Sequence, residues 1–220
     1  MARSKSRGSI KVLFIGNSFT ARNDLPGMIA QMARACGKSM QHQLIFAGGA
    51  SLRAHWNAGK AVKEIEAGRY DYVVLQEQST LPNKNALRMH ENVRLFDEAI
   101  KKAGAKIILY MTWARQHSPE SQKAITDAYT SIGKELGATV VPAGTAWQRF
   151  LRKYSKPVLH DRDQSHPTLA GTYLAACAFL AVLFRITPVG NDADVPGLER
   201  KDKLLLEKVA WDSCQSITHS

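Results

Sequence analysis

Cysteine is scarce in this sequence, and no long apolar run occurs. The 220 residues include three cysteines, Cys36, Cys177 and Cys214, which are odd in number and widely spaced. This pattern excludes a disulfide framework and lacks metal-ligand spacing, and it favours a reducing compartment. A membrane-spanning helix needs roughly 18 or more consecutive apolar residues, and even the apolar stretch 173–184 is too short for that. The composition therefore predicts an ordinary globular protein without a transmembrane segment.

Acidic residues are also few compared with basic ones. The chain has 30 Lys and Arg against 19 Asp and Glu, which gives a formal net charge of +11 at pH 7. Such an excess suits an acidic partner, such as nucleic acid, an anionic polymer or a lipid surface, but it also suits a well-solvated surface. Because the chain has no long basic run and no basic-aromatic stripe, we expect no nucleic-acid partner.

The N-terminus combines a basic leader with a short apolar run. Arg3, Lys5 and Arg7 mark residues 1–8 as a basic tail. The apolar run after it ends in Gly-Asn-Ser without a small-residue cleavage site, which is typical of a first strand rather than of a signal peptide. Residues 9–220 are predicted to form a single domain, with an additional C-terminal helix at 198–218. We expect a cytoplasmic protein.

Short β-branched runs alternate with longer helical patterns along the chain. The predicted strands are Lys11–Gly16, Gln41–Phe46, Tyr70–Leu75, Lys106–Met111 and Thr139–Val141. The predicted helices cover 24–36, 51–67 with an interruption near Gly59, 85–103, 119–136, 143–154, 168–184 and 198–217. This alternation predicts an α/β fold, a flavodoxin-like three-layer α/β/α sandwich with a central five-stranded parallel sheet. Ligands bind beyond the carboxyl ends of the strands in such sheets.

Candidate catalytic groups follow the first three predicted strands. Ser18, in Gly16-Asn17-Ser18, is placed as an exposed nucleophile near a helix start. Gly48 and Gly49 follow the second strand and permit a close backbone approach, and Gln76-Glu77-Gln78-Ser79 follows the third. Each signal alone is also ordinary turn or strand-end chemistry. Position 20 is Thr, so this is not a Gly-x-Ser-x-Gly elbow, and the phosphate-loop pattern is missing.

The polar loop 160–167 carries a candidate general base. His166 can take a serine proton, and Asp163, three residues earlier, can orient the imidazole. The loop contains two His and two Asp, so it can also be interpreted as a set of metal ligands, although it has no recognisable ligand motif.

Together these residues resemble the SGNH (GDSL-like) hydrolase superfamily over about three quarters of the chain. Gly16-Asn17-Ser18 is similar to its Gly-Asp-Ser block, a glycine after the second strand fits Gly49 rather than Gly48, and Asp163-Gln164-Ser165-His166 matches its Asp-x-x-His block. The resemblance implies Ser18, Asp163 and His166 as the triad. It implies the backbone N–H groups of Ser18 and Gly49, with the Gln78 amide, as the oxyanion hole.

Two positions depart from the family pattern. Asn17 replaces the usual Asp, a side chain that braces the turn and transfers no proton. Gln76-Glu77-Gln78 replaces Gly-x-Asn and resembles a bacterial subgroup of the superfamily, which leaves either Gln76 or Gln78 as the oxyanion donor.

The resemblance implies a carboxylic ester hydrolase that needs no metal or organic cofactor. Its substrate is expected to be a small-molecule or saccharide ester carrying a short acyl or acetyl group. An acyltransferase with the same triad and a non-catalytic module for an anionic ligand remain alternatives. Candidate substrate-pocket residues are Asn17, Gly48, Gln76, Trp113 and Arg115, with Trp56, Trp147 and His117 as further candidates that can equally be packing or surface residues.

Overall fold

A computed structural model describes residues 9–215 of the chain. The basic tail 1–8 and positions 216–218 of the predicted last helix lie outside the described residues. The strands are β1 Ile10–Gly16, β2 Met40–Phe46, β3 Tyr72–Leu75, β4 Lys106–Tyr110 and β5 Thr139–Val141. The α-helices are α1 Ser18–Ala21, α2 Leu25–Ala35, α3 Leu52–Ala58, α4 Lys60–Gly68, α5 Leu81–Lys84, α6 Ala86–Lys102, α7 Gln122–Leu136, α8 Ala143–Leu151, α9 Leu169–Phe184 and α10 Arg200–Gln215.

The five strands form one parallel sheet in the order β2-β1-β3-β4-β5. The predicted α/β architecture is confirmed. β2 lies on one side of β1, and β3 lies on the other. The chain therefore changes direction in the sheet at this point, and the carboxyl ends of β1 and β3 flank a crevice. Open α/β sheets bind their ligands at such a switch point. The loops after β1, β2 and β3 all start at this edge.

Side chains of β1 alternate between two apolar cores, one on each face of the sheet. Val12 and Phe14 pack with residues of α2, α8, α9 and α10, whereas Leu13 and Ile15 pack with residues of α3, α4, α6 and α7. Successive side chains of a strand point to opposite faces, so a central strand covered on both sides must be apolar throughout. This explains why β1 reads as a continuous apolar run.

Local capping fixes where the helices begin and where they are interrupted. The Asp24 carboxylate accepts the N–H of Gly27 at the start of α2, and the Thr168 hydroxyl accepts the N–H of Gly171 at the start of α9. Gly59 has φ 72° and separates α3 from α4, as the interruption in the sequence pattern predicts. These side chains satisfy N–H groups that have no partner inside a helix.

Several element boundaries differ from the sequence expectation. β3 begins at Tyr72 rather than at Tyr70, because its pairing with β1 and β4 starts there. The predicted helix to 154 ends at Leu151, and α10 begins at Arg200 rather than at 198. Two short helices were not predicted from the apolar periodicity: α1, which begins at Ser18, and α5, which begins three residues after Gln78.

α9 is apolar all round because it lies between the sheet, where Phe179 contacts Phe14 of β1, and other helices. Its residues from Ala170 to Ala181 are buried, and it packs against α2, α8 and α10. Across residues 9–215, no helix is both long enough and apolar enough to cross a membrane.

Close packing at the start of α8 predicts a strong effect of one methyl group. A Cβ at Gly144 would lie 2.0 Å from the backbone oxygen of Thr112, which leaves no room for a side chain. We expect Gly144→Ala to lower the free energy of unfolding by about 1–3 kcal/mol in urea titrations, as overpacking typically does. Gly48→Ala is the matched control, since a Cβ there has no heavy atom within 4 Å. Equal effects of the two substitutions would contradict this packing.

Candidate active site

Ser18 is the first residue of α1 and lies two residues beyond the end of β1. Asn17 caps this helix, because its Oδ1 accepts the N–H of Phe19 at 3.1 Å. The Nδ2 of Asn17 donates to the carbonyl oxygen of Ala50 at 3.1 Å. One buried amide side chain therefore joins the turn that carries Ser18 to the loop after β2.

Gln76 braces the Ser18 turn from β3. Its Oε1 accepts the backbone N–H of Asn17 and the hydroxyl of Thr20, both at 2.9 Å. Its Nε2 donates to the carbonyl of Glu77, so both ends of the amide are engaged. A Cβ on Gly16 would lie 2.6 Å from Gln76 Oε1, which explains why glycine stands at position 16.

His55 holds the carbonyl end of β1. Its Nε2–H donates to the carbonyl oxygen of Gly16 at 2.7 Å. Burial lowers the pKa of His55 below its usual value of 6.5, although the bond to Gly16 opposes that shift. The neutral tautomer with its proton on Nε2 fits this contact. The Ser18 turn is thus fixed from β3, from α3 and from the loop after β2.

Ser18, His166 and Asp163 form a continuous chain of hydrogen bonds. The Ser18 hydroxyl lies 2.7 Å from Nε2 of His166. The Nδ1–H of the same ring donates to Oδ2 of Asp163 at 2.5 Å. This orientation leaves Nε2 free to accept the serine proton, with the imidazole held from behind by a carboxylate. The structure therefore brings together the three residues that the sequence singles out.

The Asp163 carboxylate is held by several donors. Its Oδ1 accepts the backbone N–H groups of Ser165 at 3.0 Å and His166 at 2.9 Å. Desolvation acts to raise the pKa of Asp163, but these N–H donors and the His166 ring outweigh it and hold the pKa well below the usual 3.8. Arg22 adds positive charge, with Nη2 at 3.9 Å from Asp163 and Nη1 at 2.5 Å from Asp161. Asp163 is therefore ionised at neutral pH.

Aromatic side chains support the loop that carries His166. The ring of Phe19 contacts the rings of both His166 and Trp113, each at a centroid distance of 5.1 Å. Trp113 donates its Nε1–H to the carbonyl oxygen of Ser165 at 3.0 Å. Trp113 is only 2% exposed, so it is a buried residue that packs against the loop carrying His166.

Three N–H groups of the loops that follow β1, β2 and β3 have no acceptor among the described residues. Among the hydrogen bonds of residues 9–215, none uses the backbone N–H of Ser18 or of Gly49. The Oε1 of Gln78 accepts the N–H groups of Thr80 and Leu81 and the Thr80 hydroxyl, at 2.9–3.1 Å. These bonds fix the orientation of the Gln78 amide and leave its Nε2 without a protein acceptor in the described part of the chain.

The Glu77 carboxylate forms hydrogen bonds with residues that follow β2 and β3. Its Oε1 accepts the N–H groups of Leu52 at 3.0 Å and Gln78 at 2.7 Å, and its Oε2 accepts Nδ2 of Asn92 at 2.8 Å. The side chain is fully buried. Burial raises the pKa of Glu77, although these donors and Arg53 act in the opposite direction. The carboxylate thereby ties the backbone next to Gln78 to the start of α3.

The residues predicted for a substrate pocket separate into different environments. Asn17 and Gln76 are buried beneath Ser18, and Gly48 is exposed. Trp113 and Arg115, together with Trp147, line a cavity of about 430 Å³ after β4. Trp56 packs on Phe96, and His117 is exposed. The predicted substrate role of these residues stays a prediction.

Two side chains of loop 160–167 that can also be interpreted as metal ligands have protein partners in the structure. His160 donates its Nε2–H to the carbonyl of Ala114 at 3.0 Å, and Asp161 pairs with Arg22. Within the described range 9–215, His, Cys, Asp and Glu do not gather in groups of three or more that could hold a metal ion.

Sequence reasoning missed three supporting residues, Arg22, His55 and Glu77. Each has a partner that is distant in sequence: Leu52 lies 25 residues from Glu77, Gly16 lies 39 residues from His55, and Asp161 lies 139 residues from Arg22. The available signal was a polar residue at the end of a strand for Glu77 and an isolated histidine within an apolar helix face for His55.

Solved structures with the same architecture include a DUF4886 family protein from Bacteroides uniformis. It is 21% identical, has a TM-score of 0.77 and covers 94% of this chain and 95% of its own. A candidate SGNH hydrolase from Slackia heliotrinireducens is 25% identical, with a TM-score of 0.68, over 80% of this chain and 100% of its own. An acetyl xylan esterase from Geobacillus stearothermophilus is 17% identical, with a TM-score of 0.57, over 79% of this chain and 94% of its own.

No family model matches the sequence, and no curated protein matches it. The structural similarities show that this chain has the three-layer α/β/α fold of SGNH hydrolases.

The burial of Glu77 predicts a pH-dependent contribution to stability. Because its folded pKa is raised above 4.5, the folded state keeps this proton in a range where the unfolded state has lost it. The contribution of Glu77 to the free energy of unfolding therefore falls as pH rises from 4.5 towards the raised pKa. Glu77→Gln removes that contribution, so we expect the stability difference, wild type minus variant, to decrease over this range in urea titrations.

Glu120→Gln is the matched control for this experiment. Glu120 is fully exposed, and the Ser118 hydroxyl lowers its pKa, so its contribution is lost only as pH falls below its usual value. The same pH dependence for both variants would contradict the assignment of Glu77 as a buried carboxylate.

Proposed function

We propose that this chain is a serine hydrolase that cleaves carboxylic esters with short acyl or acetyl groups. The observation that carries the proposal is the hydrogen-bonded chain Ser18–His166–Asp163, with distances of 2.7 and 2.5 Å, at the switch point of the sheet. A serine hydroxyl on a neutral imidazole, itself oriented by a carboxylate, is the arrangement that generates an alkoxide nucleophile at neutral pH.

The first half-reaction forms an acyl-enzyme. Ser18 Oγ attacks the ester carbonyl carbon while its proton passes to Nε2 of His166, and Asp163 stabilises the resulting imidazolium. The tetrahedral intermediate then collapses, and the bond to the alkoxy oxygen breaks. His166 returns the proton to that oxygen, and the alcohol leaves.

The second half-reaction releases the acid. Water attacks the acyl carbonyl, giving one proton to His166, and the Ser18 oxygen recovers that proton when the second tetrahedral intermediate collapses. Atoms and charges balance with water as the co-substrate.

Three N–H groups without a protein acceptor in the described range support an oxyanion hole. The backbone N–H groups of Ser18 and Gly49 have no other acceptor in the described residues, and the same holds for Nε2 of Gln78. Gln76 is unsuitable as the donor, because its amide is buried and engaged at both ends. We therefore assign Gln78, rather than Gln76, to the developing oxyanion. The Gln-Glu-Gln subgroup assignment stays a prediction.

Gln78 provides a test that separates catalysis from helix capping. Gln78→Glu keeps an oxygen for the N–H groups of Thr80 and Leu81 but replaces the Nε2 donor with a negatively charged oxygen. We expect kcat for p-nitrophenyl acetate to fall by at least about 10²–10³-fold with little change in KM, because the new carboxylate repels the oxyanion in addition to the loss of one donor. Gln78→Ala loses both the cap and the donor without adding this repulsion, and its kcat should also fall by about 10²–10³-fold.

Two further variants make this result interpretable. Ser18→Ala should abolish turnover, since it removes the nucleophile. Gln41→Glu makes the same charge change at an exposed position near the start of β2, at the opposite edge of the sheet, and should retain wild-type turnover. Near-normal kcat in Gln78→Glu would exclude the oxyanion role of Gln78. Equal activity of Ser18→Ala and wild type would exclude the proposed nucleophile.

A further inference from the structure

A separate cavity lies beside the triad loop, between the loop after β4 and helix α8. Its volume is about 430 Å³, within the range of roughly 300–1,000 Å³ that is typical of small-molecule sites. Ser18, Asp163 and His166 are not among its lining residues. Much of its wall is apolar, with contributions from Trp113, Ala114, Pro119, Trp147 and Leu151.

Two of the residues that line this cavity carry a buried N–H group without a protein acceptor in the described part of the chain. Nε1 of Trp147 and Nε of Arg115 are both inaccessible and unpaired among residues 9–215. Trp147 itself is 0% exposed. A buried indole N–H usually finds an acceptor, because leaving it unpaired costs about 1–3 kcal/mol. Because both nitrogens are inaccessible, they do not themselves present a donor to a ligand in the cavity.

The charges around the cavity favour an anionic acceptor. Arg115 and Arg152 line it, and neither takes part in an ion pair within the described part of the chain. The counter-charge is Glu120, whose carboxylate accepts the Ser118 hydroxyl at 2.7 Å and is fully exposed. His160 adds no positive charge at neutral pH, because burial lowers its pKa and its Nε2–H donates to Ala114.

We propose that this cavity binds an organic carboxylate, with its apolar body against the Trp113, Pro119 and Leu151 side of the wall and its carboxylate on Arg115 and Arg152. A guanidinium group offers paired N–H donors that match the two oxygens of a carboxylate. An apolar body suits the apolar part of the wall, while the other polar lining residues are Gln116, Glu120, Gln122, Gln148 and His160.

The cavity wall is connected to the triad loop by direct hydrogen bonds. Gln116 donates its N–H to the carbonyl of Gln164 at 2.9 Å, and Trp113 donates to the carbonyl of Ser165 at 3.0 Å. Gln164 and Ser165 separate Asp163 from His166. The organic carboxylate proposed for this cavity is either part of the ester substrate or a separate molecule that binds next to the loop carrying Asp163 and His166.

Isothermal titration calorimetry with 2-naphthoate tests the site without relying on catalysis. We expect the wild type to bind 2-naphthoate, and 2-naphthamide, which has the same body without the charge, to bind at least about tenfold more weakly. Arg115→Gln and Arg152→Gln should each weaken 2-naphthoate binding by about tenfold or more. Ser18→Ala should bind as the wild type does.

Arg149→Gln is the matched control, because Arg149 lies in α8 three residues before Arg152 but does not line the cavity. It makes the same change of charge and should leave affinity within about twofold of wild type. The proposal is overturned if 2-naphthoate does not bind at millimolar concentration, if the amide binds equally well, or if Arg115→Gln and Arg149→Gln behave alike.

A kinetic comparison then distinguishes the two sources of the carboxylate. If 2-naphthoate raises the KM for p-nitrophenyl acetate, the site holds part of the substrate. An unchanged KM assigns it to a separate molecule. Because heat of binding is measured independently of turnover, failure of the ester-hydrolase proposal and failure of this one are distinguishable.

Discussion

The buried amide of Gln76 is the contact on which the geometry of the site depends. It accepts the backbone N–H of Asn17 and the Thr20 hydroxyl, and so fixes the turn that carries Ser18 to the end of β3. The carbonyl of Gly16, on the other side of the same turn, is held by His55. With the backbone fixed on both sides, the Ser18 hydroxyl meets Nε2 of His166 at hydrogen-bond distance. Preorganisation of this kind avoids reorganisation during reaction.

Charge is distributed unevenly across the two halves of the site. The His166 side holds the ionised carboxylates Asp161 and Asp163 with Arg22 between them. Beneath the loops on the other side, Glu77 is buried and receives only N–H donors, from Leu52, Gln78 and Asn92. Glu77 thereby orders the backbone of both candidate oxyanion loops, because its Oε1 accepts the N–H groups of Leu52 and Gln78. The three-layer fold supplies the switch point, and these polar contacts give it chemical specificity.

The parallel sheet was predictable from the sequence, because it rests on short-range patterns. The triad was implied by the resemblance to SGNH hydrolases and stays a prediction, although Ser18, His166 and Asp163 lie within hydrogen-bond distance of one another. An apolar β1 signals a strand covered on both faces, and Asp163 and His166 lie within one turn of a rigid loop. The choice between Gln76 and Gln78 was not predictable, since it depends on which amide lies beneath Asn17. The contacts of Arg22 and His55 were not predictable either, because their partners Asp161 and Gly16 are distant in sequence. The early end of α8 at Leu151 shows that helical periodicity alone does not fix a boundary.

The central claim is that Ser18 is a nucleophile activated by His166. Its most direct test is labelling with a fluorophosphonate, followed by mass spectrometry of the digested protein. The account predicts one adduct, on the peptide containing Ser18, and loss of labelling in both Ser18→Ala and His166→Ala while each variant keeps its fold by circular dichroism. An adduct on another residue, or unchanged labelling of folded Ser18→Ala, would contradict it.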